Sequence, residues 1–226
     1  MTATSKKCFD LPAKTTSEKS RGARIYAAME ARHPDATSAL TWETPLQLLC
    51  ATILSAQATD VGVNKATPRL FADLGTPEAM AAVTPEIIEG YINSIGLFRN
   101  KAKALHATAN RLVEVYGGDV PATMEDLLTL RGVARKTANV VLGNAFGFNE
   151  GVVVDTHVSR LSQRLGLTDQ TTPEKIERDL MALFPRKKWT QLSHLMVYHG
   201  RRVCRARGAL CHEDAVCKGY CSNARG

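Results

Sequence analysis

A chain of 226 residues, 44% hydrophobic and 23% charged, is long enough for one large or two small cored domains. No apolar run approaches the roughly 18 residues of a membrane helix, and Met1 to Gly22, rich in Thr, Ser and Lys, lacks the apolar stretch of a secretory signal; it reads as a short disordered basic tail. The formal net charge of +7 favours a polyanionic partner, although basicity alone does not name nucleic acid.

Taken in order, the elements predict an all-α protein. From Pro45, Leu46, Leu49, Cys50, Ile53 and Leu54 follow the helical period. Thr84-Pro85 supplies a cap and a first-turn proline, Ile87, Ile88, Tyr91, Ile92 and Ile95 form the stripe, and Gly96 is the expected stop. Asn100 is the next expected cap, with Leu105, Ala109, Leu112, Val113 and Tyr116 on one face before Gly117-Gly118. Thr123 and Asp126 open a short helix as a weak capping box. Thr137 to Phe146 reads as a buried helix, and Gly147 to Gly151 as a linker. Helices then start near Asp155 (Val158, Leu161, Leu165) and at Thr172-Pro173 (Ile176, Leu180, Leu183, Phe184). A last one runs through Trp189, Leu192, Leu195 and Met196 to the first of four clustered cysteines.

Three features carry chemistry. Leu130-Arg131-Gly132-Val133-Ala134-Arg135-Lys136-Thr137-Ala138 reads as a helix, a glycine turn and a second helix opening with cations. Backbone N–H groups at such a turn and helix start bind a phosphate without reading a base. A lysine there faces the sugar-phosphate backbone, and beside a carboxylate its amine can attack a sugar carbon. Asp155, nineteen residues after Lys136, is the candidate carboxylate. It is equally a good N-cap, worth about 0.5–2 kcal/mol. His157 reads as structural or phosphate-facing. Six cysteines without a secretory signal point to a metal or redox cofactor over disulfides. Cys8 and Cys50 stand alone, Cys50 as a small core residue. The other four read Cys204-x6-Cys211-x5-Cys217-x3-Cys221 and suit either a 4Fe–4S cluster or a structural zinc. Only Cys217 and Cys221 have zinc-like pair spacing, and His212 is too close to Cys211 to share its metal. Arg186, Lys187, Lys188, Arg201, Arg202, Arg205 and Arg207 surround this loop and suit phosphate contacts.

Hairpin lysine, aspartate and terminal cysteines in this order resemble the endonuclease III family of DNA glycosylase/AP lyases, a helix-hairpin-helix, iron–sulfur-containing family, over Gln47 to Cys221. The resemblance implies a six-helix barrel domain over 39–151, an iron–sulfur domain from 1–38 with 152–226, and an active site in the cleft between them. It implies Lys136 as the Schiff-base nucleophile, Asp155 as its catalytic partner, and Cys204, Cys211, Cys217 and Cys221 as ligands of a 4Fe–4S cluster, with structural zinc the alternative. Base chemistry in a duplex requires extrusion of the nucleotide. The segment Leu54 to Asp60 matches the family's inserted-glutamine loop, with Gln57 as plug, and Gly96 to Asn100 matches a second loop, with Leu97 as apolar wedge. Arg131, Gly132, Val133, Ala134, Arg135 and Thr137 become the DNA-facing hairpin. The implied activity is excision of oxidised pyrimidines from duplex DNA with strand cleavage at abasic sites, by a monomeric enzyme of the bacterial cytoplasm and nucleoid. Lys136 argues against the purely hydrolytic adenine glycosylases, which lack a lysine there. Two departures stand out. Arg131 and Ala134 replace the proline and second glycine of the family's Leu-Pro-Gly-Val-Gly, so that a Cβ at Ala134 is expected to crowd a phosphate or strain the turn. The cysteine spacing also differs from the family's x6, x2, x5, with Asp214 three residues after Cys211. Both fit an alternative of another class, a DNA-damage or redox-responsive binding protein that has lost efficient excision.

Overall fold

Helices make up the regular structure of residues 10–224, the span described by the computed structural model, Asn223 by its backbone alone; no strand occurs among them. Cys8 lies outside that span. The chain divides into two compact units, Ser38–Glu150 and Met1–Thr37 with Gly151–Gly226. In chain order the α-helices are α1 (Thr16–Arg32), α2 (Pro45–Ser55), α3 (Asp60–Asp73), α4 (Pro77–Ala81), α5 (Pro85–Ile92), α6 (Phe98–Tyr116), α7 (Met124–Leu127), α8 (Arg135–Ala145), α9 (Thr156–Arg164), α10 (Pro173–Leu183), α11 (Trp189–Arg202) and α12 (Ala215–Tyr220). None among the described residues is long and apolar enough to cross a membrane.

The unit over Ser38–Glu150 holds α2 to α8. Helix α2 is its centre. Thr44 caps it, Pro45 presets its first turn, and every residue from Leu48 to Leu54 is buried because α3, α6 and α8 pack around it. Helix α3 escapes the periodicity argument. Its inward face is Val63, Ala66, Thr67 and Leu70, and the Thr67 hydroxyl meets its own helix by donating to the Val63 carbonyl at 3.1 Å. Helix α5 stops at Ile92, short of Gly96, and Ile87 at the edge of its stripe is exposed. Helix α6 starts at Phe98, with Leu97 at the capping position in the left-handed region (φ 61°). Asn100 therefore lies inside the first turn of α6 and is not its cap. Gly117, also left-handed at φ 61°, ends the helix as expected.

The other unit corrects the tail expectation from residue 16 on; residues 1–9 lie outside the described span. Residues 16–22 are helical, because the Ser, Thr and Lys content that suggests a solvated tail serves as a helix start. Thr15 Oγ1 accepts from Glu18 N at 3.2 Å while Glu18 Oε2 accepts from Thr15 N at 2.8 Å, a complete capping box. Lys14 pairs with Asp179 at 2.9 Å. Beyond the box, α1 buries Ile25, Tyr26 and Met29 against α10, α11 and α12. Their shared core includes Ile176, Leu180, Leu192, Leu195 and Met196, and it runs without a break into all four clustered cysteines.

Candidate active site and metal centre

The hairpin is built by backbone geometry. Val133 N donates to the Leu130 carbonyl at 3.2 Å, and the Thr108 hydroxyl donates to the Arg131 carbonyl at 2.9 Å, tying the turn to α6. Gly132 sits at φ +83°, and a Cβ there would lie 3.3 Å from Ala104 Cβ and 3.4 Å from Ile53 Cγ2. Both the dihedral and the packing require glycine. Val133 is buried and anchors the turn, while Arg131, Gly132 and Ala134 are exposed. Ala134, at φ −95° and ψ 171°, is ordinary extended backbone. The expectation that its Cβ strains the turn is therefore corrected, since the position does not call for a left-handed conformation. No side chain caps α8 and no acid lies in its first turn, which consists of Arg135, Lys136 and Thr137. A helix start of this kind presents undiminished positive potential, and Lys136 is exposed on its second residue. Arg135 Nη2 donates to the Glu150 carbonyl at 3.1 Å.

Gln57 and Leu97 share a backbone peculiarity. They are the non-glycine residues at positive φ among those described, 54° and 61°, and both are exposed, Leu97 to 55%. Each holds a conformation that costs an L-residue roughly 1–2 kcal/mol. Such outliers persist where a site over-determines them, and inference runs from the outlier to function. Their loops are neighbours, because a Cβ added to Gly96 would stand 3.9 Å from the Gln57 carbonyl oxygen.

In the unit that holds α9, Asp155 is the N-cap of that helix, with Oδ1 accepting from Val158 N at 2.8 Å. His157 packs against Gly200 and lies 3.2 Å from Arg160 Nη2. Burial lowers its pKa, which Asp155 partly opposes. It serves as a structural contact between α9 and α11.

Cys204, Cys211, Cys217 and Cys221 are all buried, and their sulfurs lie within 4.8 Å of one another. The altered spacing closes on one centre for a local reason. Asp214 Oδ1 accepts from Val216 N at 2.9 Å and Cys217 N at 3.2 Å, starting α12. That helix carries Cys217 and ends at Cys221, four residues on and therefore on the same face. Asp214 thus acts through the backbone, and its Oδ2 accepts from Arg32 Nε at 2.9 Å. Arg164 Nη1 lies 3.3 Å from Cys204 Sγ, and Arg160 donates to the Cys204 carbonyl. Hydrogen bonding from Cys217 holds the Cys204 thiol below its usual range against the opposing effect of burial, and Arg164 adds to it. Four buried thiols without a hydroxyl ligand form the soft donor set that zinc or iron–sulfur centres use, and they fit such a group. Two residues that sequence reasoning missed complete the surroundings. His199 Nε2 is 3.3 Å from Cys217 Sγ, and His33 Nε2 is 3.0 Å from His199 Nδ1. Burial pushes the His33 pKa down to about 4 and lowers that of His199 as well. The signal available in sequence was slight: His199 lies five residues before the first clustered cysteine, and nothing ties His33 to it. Of the basic residues near the loop, Arg202 forms a two-pronged ion pair with Asp35 at 3.0 and 2.7 Å.

A helix-hairpin-helix unit and a four-cysteine unit on one all-α chain define a class of DNA-processing proteins. Residues 50–186 match the family of HhH-GPD superfamily base excision DNA repair proteins. Endonuclease III of Synechocystis sp. is 54% identical over 200 residues, covering 88% of this chain and 91% of its own, and endonuclease III of Rickettsia conorii is 41% identical over 198 residues, covering 88% and 93%. A solved trapped endonuclease III–DNA covalent intermediate superposes with a TM-score of 0.85 at 39% identity, covering 92% of this chain and 97% of that one. The chain belongs to the endonuclease III family.

Proposed function

We propose that this protein is a base-excision DNA glycosylase with AP lyase activity, acting on oxidised pyrimidines and abasic sites in duplex DNA in the bacterial cytoplasm. The observation that carries the reading is Lys136, exposed on the second residue of an uncapped helix behind a glycine hairpin. The hairpin amides take a DNA phosphate, which brings the lysine to the sugar of the adjoining nucleotide. The unprotonated amine gives its lone pair to C1′ as the bond from C1′ to the base breaks. The base leaves with that bond's electron pair and gains a proton. Asp155 takes the proton that the amine sheds and balances the positive charge that builds on the sugar. The C1′–O4′ bond then breaks as the nitrogen lone pair forms the protonated imine and O4′ takes the proton held by Asp155, after which loss of a C2′ proton expels the 3′ phosphate oxygen with its electron pair, cleaving the strand. Gln57 and Leu97, held left-handed on adjacent loops, fill the space left by the extruded nucleotide. A relative that forms a covalent intermediate with DNA supports an amine nucleophile.

We further propose that Cys204, Cys211, Cys217 and Cys221 hold a 4Fe–4S cluster, supported by thiolate-only ligation and by family membership. The cluster would stabilise the C-terminal loop or conduct electrons, and it takes no part in the steps above. One observation favours zinc instead. Sulfurs within 4.8 Å of one another approach the roughly 3.8 Å edge of a tetrahedron with 2.3 Å zinc–sulfur bonds.

Borohydride trapping tests the activity. Wild-type protein mixed with abasic duplex should give a covalent complex, and Lys136→Gln should keep DNA binding and the fold but give none, since glutamine forms no imine. Trapping by the variant would assign the nucleophile to another amine. A wild type that binds but never traps would favour the non-catalytic DNA-binding alternative.

A further inference from the structure

The two buried histidines beside Cys217 are used by nothing described so far. His33 closes α1 as its C-cap, His199 lies in the last turn of α11, and both side chains are buried, 1% and 0% exposed. Ring nitrogens and sulfur form a chain: His33 Nε2 to His199 Nδ1 at 3.0 Å, then His199 Nε2 to Cys217 Sγ at 3.3 Å. Only one proton can occupy the first link between two neutral imidazoles, so the chain has a direction. If His199 Nδ1 carried it, His199 Nε2 would present a lone pair to a metal-bound thiolate. His33 would then carry its own proton on Nδ1, which has no hydrogen-bond partner among the described residues. A buried N–H without an acceptor is the rarer and costlier defect. Both considerations select the opposite direction. His33 Nε2–H donates to His199 Nδ1, and His199 Nε2–H donates to the sulfur.

We propose that His33 and His199 are positioning residues for the metal centre: His33 sets the tautomer of His199 so that an N–H is permanently aimed at the Cys217 thiolate. This rests on the reading of the four cysteines as a metal site, but not on which metal. An N–H to a ligand sulfur withdraws charge from it. In a cluster that raises the reduction potential, and with either metal the N–H fixes the thiolate's orientation and shields it from the proton that would release it. The arrangement also couples the end of α1 to the centre, since Arg32 grips Asp214, the cap of the helix carrying Cys217.

The test uses His33, which touches no sulfur. Metal release to a chelator is timed for the full-length metal-loaded wild type, His33→Phe and His33→Gln, with circular dichroism verifying the fold. His33→Phe removes the donor and should release metal on the order of 10-fold faster, at the low end of the effect of losing an outer-shell partner. If iron is present it should also lower the reduction potential. His33→Gln keeps an N–H donor and should restore most of the wild-type rate. Equal rates in all three, or His33→Gln no better than His33→Phe, overturns the proposal. Long-range 1H–15N correlation on the wild type gives an answer even if the variants fail to fold. His199 protonated on Nε2 supports the chain, and protonation on Nδ1 overturns it. A wild type that holds no metal overturns the metal reading, and this inference with it, whereas a wild type that holds metal with the wrong tautomer overturns this inference alone.

Discussion

Replacing Gly132 with alanine separates the two glycine-type positions of the hairpin. At φ +83° an L-residue costs roughly 1–2 kcal/mol. The new Cβ would also stand 3.3 Å from Ala104 Cβ and 3.4 Å from Ile53 Cγ2, both on packed helices that can give only a few tenths of an ångström. Overpacking of this kind adds about 1 kcal/mol or more. Gly132→Ala should therefore lose about 2–3 kcal/mol, and it should weaken binding to duplex DNA because the turn that presents the α8 amides is displaced. Ala134→Gly is the control. At φ −95° alanine carries no strain, so glycine there adds only unfolded-chain entropy and should lose about 0.4–1 kcal/mol, with no gain in affinity. Urea unfolding of the full chain and a DNA titration at fixed salt measure both. A larger loss for Ala134→Gly than for Gly132→Ala would refute the assignment of strain within the turn.

Asp155→Asn keeps an oxygen for Val158 N, so stability should change by less than about 1 kcal/mol while excision falls strongly, and losses in parallel would make Asp155 a structural residue. The same variant removes the charge that raises the pKa of His157, which should then titrate lower, as NMR can follow. Leu97→Gly relieves a left-handed leucine, so the melting temperature should hold within a few degrees while excision of paired lesions drops; unchanged excision would remove Leu97 from the wedge role. Purified protein should be yellow-brown with broad absorption near ~400 nm, and Cys217→Ser should bleach it and loosen the terminal loop. A colourless anaerobic preparation with one zinc per chain would replace the cluster by zinc and leave the Lys136 chemistry untouched.

Local signals in this chain were strong where one residue both makes and marks a structure. Thr84-Pro85, Thr123 with Asp126, and Thr172-Pro173 all stand at helix starts: the Thr123 hydroxyl accepts from Asp126 N, while Thr84 and Thr172 make no side-chain cap bond and the preset φ of the proline after each starts the turn. Signals failed where tertiary contact overrode them. Met1 to Gly22 has the composition of a tail, yet α1 gains its stability from Ile25, Tyr26 and Met29, which meet partners more than a hundred residues away. Asn100 is a good cap by type, but left-handed Leu97 starts the helix earlier, and no propensity favours leucine there.

The sequence by itself determined the all-α class, the glycine turn before Lys136, the cap at Asp155 and the supply of four thiols near one end, since each depends on neighbours along the chain. Tertiary structure decided the rest. It set the Gln57 carbonyl beside Gly96 and buried His33 of α1 on His199 of α11. These pairings join residues that are far apart in sequence, and only packing of whole helices brings them together; no local pattern of 3.6 residues or of turn chemistry encodes which faces meet.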